Sequence, residues 1–539
     1  MNEMNHQAIS AATIALDGFQ SKPTSLISYQ SNGRVLAFGE SDALELCKDF
    51  SSPLVMTLVS MTDLTPEQEG KKFIDLNNRK IHIEGHLGQF VITLVDAQGK
   101  TETLTADLIL DLNADALVKH EVLPSGYFHQ TISVQNQLEL QNELIDMTGT
   151  FEKPKYFKYN SAICAHGVNG KTVCTNCIDT CPAGAITSLI EKIEVDPYLC
   201  QGGGTCATVC PSGAIQYAYP GLSDSGNQIR KMLQAFRNSG GENPVVMFHA
   251  EQELSEILTA NYLPVRVEEL ASVGMELCLS SLVYGATQVV LLINEEMPRI
   301  SIKQLAQQLD WLQTMLMGLG LKPLMVTMQK DITEVMPVKS LIPLEPALYT
   351  MPDNKRDAIY QALDHLYQQI DKTREMVSLP AGAPFGTASI DENLCTLCMA
   401  CVGACPGKAL QDGSNREIPE VFFIESNCIQ CSACTQTCPE QAISISPRII
   451  FDREKRNRSR VLNQDSPFAC ISCGKPFAPT SVIHKMHEKL KDHYMFNSSR
   501  ALDRLKMCGD CRVVDIVQDP EAINGNFDPL NQVSDKPLS

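Results

Sequence analysis

The chain has 539 residues, a formal net charge of −19 and 21 cysteines. That charge argues against nucleic acid or an anionic membrane surface as the main partner, and no apolar run approaches the ~20 residues of a membrane span. The polar start MNEMNHQ has neither the basic nor the apolar region of a signal peptide, so the expected location is cytoplasmic, where cysteines stay reduced and a disulfide framework is excluded.

Residues 1–155 read as an α/β domain. GRVLAFG (33–39) is a strand, SDALELCKDF a helix and PLVMTLVS a second strand, and the stretch 80–112 suggests antiparallel hairpins. This pattern loosely resembles the flavin-binding subunit of heterodisulfide reductase, where similar hairpins interrupt a dinucleotide-binding fold. The G-x-G-x-x-G fingerprint is missing here, so the expectation is a degenerate dinucleotide-binding fold without its nucleotide.

Nineteen cysteines fall into three groups, seven at 164–210, eight at 395–438 and four at 470–511; Cys47 and Cys278, in apolar helical contexts, are expected to be inert core residues. Clustered thiols in a reducing compartment point to metal.

Residues 156–220 carry an altered C-x2-C-x2-C-x3-C-P pattern twice. In the first half Cys174, Cys177 and Cys181 hold the last three places and Lys171 stands in the first. Cys164 lies ten residues before Cys174, across a polar loop with two glycines that can fold back and supply a thiolate. In the second half, CQGGGTCATVCP, Gly203 replaces a cysteine between Cys200 and Cys206. The expected division is one cubane on Cys164, Cys174, Cys177 and Cys210, and a second site on Cys181, Cys200 and Cys206. Three readings of the latter stay open: a [3Fe–4S] cluster; a [4Fe–4S] cluster whose fourth iron takes water, a histidine such as His166, or another oxygen or nitrogen ligand; or completion by Cys164, leaving the first site short. The glycines let the backbone crowd the cluster and donate N–H bonds to it, which together with lower ligand charge raises its potential.

Residues 225–378 form a predicted α/β docking domain, with strands at 244–250, 264–270, 288–294 and 322–328 separated by helices at 251–260, 274–285 and 301–319. The alternation indicates a doubly wound parallel sheet. Its order and length resemble the delta subunit of methyl-viologen-reducing hydrogenase, which partners heterodisulfide reductase. That family's domain carries a small cluster, but this stretch holds only Cys278, so the cluster is not carried over. GLGLKP near 318 follows a helix, which makes it a poor phosphate loop.

A Pro/Gly/Ala-rich linker, 380–390, leads into the module at 379–448. CTLCMACVGACP and CIQCSACTQTCP each have the complete spacing, in which three cysteines wrap one cubane and the fourth reaches the other. One cluster is assigned to Cys395, Cys398, Cys401 and Cys438, the second to Cys428, Cys431, Cys434 and Cys405, with the apolar strand EVFFIE covering both. Structural zinc, which wants paired CxxC knuckles, fits this doubled pattern poorly. The segment resembles a bacterial two-[4Fe–4S] ferredoxin.

The basic run 448–460 reads as a solvated linker. Beyond it, in 460–539, CISC and CGDC supply Cys470, Cys473, Cys508 and Cys511, two facing knuckles that suit a closed tetrahedral zinc site in a small zinc-ribbon-like domain. The intervening His484, His487 and His493 are expected to face solvent.

The expected architecture is therefore multidomain α/β with two ferredoxin-like α+β iron–sulfur modules and a C-terminal metal domain. As a whole the chain resembles a polyferredoxin-type subunit of a cytoplasmic redox complex. That resemblance implies single-electron transfer between protein redox partners through three or four [4Fe–4S] clusters, with a [3Fe–4S] cluster as the alternative at the Gly203 site. No catalytic constellation is evident. Two alternatives stand beside this: an accessory protein assembling a redox enzyme such as a molybdenum formate dehydrogenase, and a flavin-containing oxidoreductase subunit.

Overall fold

A computed structural model of the chain describes residues 3–520 apart from 17–18, 20, 62–72, 77–78, 169, 251–260, 331–343, 372–373, 414–417 and 497. It divides into two compact units, Met1–Pro384 with Arg448–Arg453, and Phe385–Pro447 with Glu454–Ser539.

The first unit begins with a five-stranded parallel sheet. Its strands β1 (Arg34–Gly39), β2 (Val55–Ser60), β3 (Phe73–Asp75), β4 (Leu108–Asp111) and β5 (Tyr127–His129) lie in the order β3-β2-β1-β4-β5. β1 is apolar on both sides because both faces are covered. Val35 and Ala37 pack with Leu44, Leu140 and Leu144, while Leu36 and Phe38 meet Phe90, Ile92 and Leu94. The latter three come from an antiparallel meander, Lys80–Glu84, Phe90–Val95 and Thr101–Ala106, inserted between β3 and β4. The expected hairpins thus end at 106, and Leu108–Asp111 returns to the parallel sheet. The strand order is that of a dinucleotide-binding fold. Yet β1 runs into Gly39-Glu40-Ser41-Asp42, placing two carboxylates at the start of helix Ser41–Cys47, where such a fold receives phosphate. Cys47 is buried in this core, which pushes its thiol up to about 12.

A second parallel sheet follows, with β6 (Val245–His249), β7 (Tyr262–Arg266), β8 (Gln288–Leu292) and β9 (Val326–Gln329) in the order β7-β6-β8-β9. Crossovers run both ways from β6, so the chain reverses between β6 and β8, the place where open α/β sheets offer a crevice at their carboxyl ends. β7 starts two residues before the expected strand because Val245 pairs with Tyr262. β9 starts at 326 because Pro323, which lacks an N–H, opens a short 3-10 turn instead. The expected helix 251–260 lies outside the described residues. Helix α1 (Met275–Val283) is buried all round and includes Cys278. Helix α2 (Arg299–Gly318) ends in a Schellman cap, with Gly320 at φ +77° and the Leu321 N–H donating to the Leu316 carbonyl at 2.9 Å. The glycine-rich turn near 318 is that cap.

Both cysteine-rich modules share one layout. In the first, Phe157–Tyr159 pairs with Ile215–Tyr217 and Ile186–Ser188 with Ile193–Val195, around short helices Asn176–Asp179 and Thr205–Val209. In the second, Gly386–Ile390 pairs with residues 443–447 and Leu410–Asp412 with Glu420–Phe423, around Ala400–Gly403 and Ala433–Thr437. The expected linker is therefore strand from 386 onward. Its small residues allow close approach, for a Cβ on Gly386 would lie 2.3 Å from the Ser446 carbonyl oxygen.

The basic run 448–460 is anchored and not a solvated linker. Ile449 and Phe451 are buried, Phe451 stacks on Tyr367, and Arg456 in helix Arg453–Asn457 is only 2% exposed. The apolar half of RIIF supplies the pull.

No helix among the described residues is long and apolar enough to cross a membrane.

Candidate metal centres

The complete module shows how a cysteine loop is shaped. The residues flanking each middle cysteine, Leu397 and Met399 around Cys398, Gln430 and Ser432 around Cys431, all take left-handed backbone, with φ of 53°, 60°, 54° and 66°. Side-chain-bearing residues avoid this region, and two in one short loop curl the chain tightly enough to turn successive sulfurs inward. Each loop ends in Cys-Pro, and Lys408 and Gln441 are again left-handed, at 52° and 50°. These turns send an N–H back to sulfur: Ala409 donates to Cys405 Sγ at 3.2 Å and Ala442 to Cys438 Sγ at 3.3 Å. Leu397 N–H and Gln430 Nε2 likewise donate to Cys395 and Cys428. Val421 and Phe423 of the expected EVFFIE strand pack against the cysteines.

Charge couplings show which sulfurs are neighbours. Burial pushes the Cys401 thiol up to about 11, and Cys395, Cys398 and Cys438 add to it. Burial pushes Cys434 up to about 12, with Cys428, Cys431 and Cys405 as the nearest contributors. These contributions run mainly within each predicted set of four, with a smaller one from Cys401 to Cys434. Four thiolates in one place repel one another unless a cationic core neutralises them, so the donor set fits an iron–sulfur cluster.

The first module repeats these devices. Its Cys-Pro turns carry left-handed Gly184 (φ 61°) and Gly213 (φ 72°), and Ala185 N–H donates to Cys181 Sγ at 3.4 Å. Cys164 is returned by a small hairpin in which Gly167–Val168 pairs with Lys171–Thr172. Burial raises Cys174 to about 11 and Cys177 to about 12, with Cys210 and Cys164 contributing to both. Cys164, Cys174, Cys177 and Cys210 therefore form one group. His166 is 1% exposed, with Nδ1 2.8 Å from the Cys174 carbonyl oxygen and Nε2 2.7 Å from Ser188 Oγ, so both ring nitrogens are engaged away from the remaining cysteines.

Those remaining cysteines are Cys181, Cys200 and Cys206. Burial raises the Cys206 thiol, followed by Cys200 and Cys181. Gly202 and Gly204 have φ of +80° and +76°, the same left-handed pair that flanks Cys398 and Cys431, so Gly203 stands where a cysteine would. A Cβ on Gly202 would lie 2.8 Å from the Tyr156 ring, and one on Gly204 2.6 Å from Ser272. A Cβ on Gly203 would meet only Pro182 Cγ, at 3.8 Å. The outer glycines are required by space and backbone; the middle one is not.

Two lysines brace this loop, and neither was foreseen. Lys153 Nζ donates to the Tyr198 and Cys200 carbonyls, both at 2.8 Å, and burial lowers its ammonium to about 8. Buried Lys355 donates to the Ala207 and Thr208 carbonyls at 2.9 and 2.7 Å. A signal for the second existed: a lysine opening helix Lys355–Gln369 opposes the helix dipole, so it needs another purpose there.

In the second unit, Cys470, Cys473, Cys508 and Cys511 bring their sulfurs within 4.8 Å of one another, a group able to hold a metal ion. Cys470 and Cys473 sit on the turn between strands Pro467–Ala469 and Pro476–Pro479, tightened by left-handed Gly474; Cys508 precedes helix Gly509–Val517 and Cys511 lies in its first turn. Desolvation raises Cys470, but the N–H groups of Cys508, Cys473 and Ser472 outweigh it and bring the thiol down to about 6. His484 and His493 are exposed, and the four-sulfur group includes no histidine.

Two family models match the chain: a 4Fe-4S dicluster domain over residues 394–443 and a 4Fe-4S binding domain over residues 193–216. The second span includes Cys200, Gly203, Cys206 and Cys210. The chain thus carries two ferredoxin-type 4Fe–4S domains. Among curated proteins, none matches it.

Proposed function

We propose that this protein carries electrons, one at a time, through iron–sulfur clusters between protein redox partners. The observation that carries the reading is the repeated loop geometry: left-handed residues curl the cysteine loops and Cys-Pro turns aim N–H groups at sulfur. Cys395, Cys398, Cys401 and Cys438 would hold one [4Fe–4S] cluster, Cys428, Cys431, Cys434 and Cys405 another, and Cys164, Cys174, Cys177 and Cys210 a third. Cys181, Cys200 and Cys206 would hold a fourth centre with three protein sulfurs. Such clusters supply reversible one-electron chemistry with little ligand movement. The residues around them set how readily the electron is taken up. N–H bonds to sulfur and the ammonium groups of half-buried Lys153 and buried Lys355 stabilise added negative charge, which favours a higher potential at the three-sulfur centre than at the others.

The C-terminal four-cysteine group suits zinc. Zn–S bonds of ~2.3 Å in a tetrahedron put sulfurs ~3.8 Å apart, and Cys473 Sγ lies 3.8 Å from Cys508 Sγ. A closed set of four sulfurs leaves no place for substrate, so its role is structural. The division 1–155, 156–220, 225–378, 379–448 and 460–539 follows from these assignments. The α/β parts serve docking, and the carboxylates of Glu40 and Asp42 disfavour a flavin in the first of them. The cytoplasm is the compartment in which so many free thiols would keep their metals.

Anaerobic potentiometric titration followed by EPR tests the reading. The expected result is several one-electron centres that equilibrate with reduced dyes, one of them at distinctly higher potential. Clusters that never exchange electrons would overturn it.

A further inference from the structure

The three-sulfur centre borders a cavity of about 300 Å³, whereas the space at Cys395, Cys398, Cys401 and Cys438 is about 20 Å³. The cavity runs on from the cysteines to Glu268, Leu292 and Ser301, outside the cysteine loops. One wall is Cys181, Cys200, Cys206 and the Gly202–Gly204 loop. The opposite wall comes from the carboxyl ends of β6 and β8, with Ala250, Leu292 and Asn294. This is where the order of the second sheet reverses, the position at which open α/β folds bind ligands.

The walls state what would fit. Glu268, Glu269 and Glu296 line the cavity, and among the described residues no lysine, arginine or histidine does. Tyr217 also lines it, and its hydroxyl is buried without a hydrogen-bond partner among the described residues. A buried phenol of this kind ordinarily has a partner, so a polar group belongs opposite it. The opening beside Gly203, where an added Cβ meets only Pro182 at 3.8 Å, gives the cavity access to the corner that a cysteine would fill.

We propose that this cavity binds a small, positively charged thiol whose sulfur takes the place left by Gly203. The proposal rests on the reading that Cys181, Cys200 and Cys206 hold a cluster. A thiolate is the donor missing from the set, and soft thiolates are preferred by iron–sulfur centres. The acidic wall selects positive charge in the rest of the ligand, and Tyr217 Oη hydrogen-bonds to it. Binding would exchange a water or hydroxide on the iron at that corner for the thiolate, with the thiol proton passing to solvent or to the departing hydroxide and no change of oxidation state.

The test titrates anaerobically purified, reduced full-length protein with cysteamine, 2-mercaptoethanol and mercaptoacetate while recording EPR spectra. Cysteamine is expected to alter the signal of the three-sulfur centre at a concentration about ten-fold below mercaptoacetate, with mercaptoethanol between them. Gly203→Cys, which the open space accommodates, should abolish the response. Tyr217→Phe should weaken cysteamine about five-fold, and Glu269→Gln should narrow the preference between the charged thiols. A signal unmoved by all three thiols, equal responses to them, or a response that survives in Gly203→Cys would overturn the proposal. So would a three-iron centre that stays unchanged. Metal analysis separates the two levels: absence of the centre's iron and signal before any thiol is added sinks the underlying reading instead.

Discussion

The loops at 395–401 and 428–434 hold Leu397, Met399, Gln430 and Ser432 in left-handed backbone, while the loop at 200–206 reaches the same shape with Gly202 and Gly204. A left-handed residue with a side chain costs roughly 1–2 kcal/mol, so the complete loops store strain that the altered one avoids. They keep the cysteine between those residues; the unstrained loop has Gly203 there. The difference teaches that the altered loop is not a decayed copy. Its outer glycines are demanded by Tyr156 and Ser272, its inner position faces open space, and Lys153 and Lys355 secure its ends. Loop shape and ligand count are separable properties of the fold.

The largest test of that separation removes one sulfur at a time from the complete module. Cys434→Ala in the complete module should lose a cluster, about four irons per chain, by metal analysis; Cys431→Gly should instead keep the loop's shape and give a second three-sulfur centre, seen as a new EPR signal. Next comes the backbone. Gly204→Ala must place a Cβ 2.6 Å from Ser272 on a left-handed residue, and should cost about 3 kcal/mol in anaerobic denaturant unfolding. Gly203→Ala should stay within about 0.5 kcal/mol of the parent. A smaller effect is expected for Lys355→Met, which strands the Ala207 and Thr208 carbonyls at about 2 kcal/mol. Redox titration should also show the three-sulfur centre moving to lower potential while the centres at 395–438 hold theirs. Least disruptive is chelation at Cys470–Cys511, expected to remove one colourless metal per chain with the visible absorbance unchanged.

Much of this was legible in the residues themselves. Cysteine spacing pointed to the two ferredoxin-type domains and to the four-cysteine group at 470–511, because such loops are local and their spacing is short. The hairpin that returns Cys164 followed from two glycines in a short polar loop. Alternating apolar runs gave the parallel sheets, and Cys47 and Cys278 were recognisable as core. What escaped depends on distant partners. Gly386–Ile390 looks like a linker until Ser446 comes alongside it. The basic run at 448–460 hides an anchor, since Phe451 acts only when it meets Tyr367. The cavity joins residues 200–206 to 268–269 and 292–296, and no local pattern announces that meeting.

Mössbauer spectroscopy of anaerobically prepared parent and Gly203→Cys proteins addresses the central claim most directly. The account predicts about fifteen or sixteen irons per chain, with one subset in the parent lacking full sulfur coordination and absent from the variant, all other iron being unchanged. Identical spectra from the two proteins, or preparations holding no iron, would contradict it.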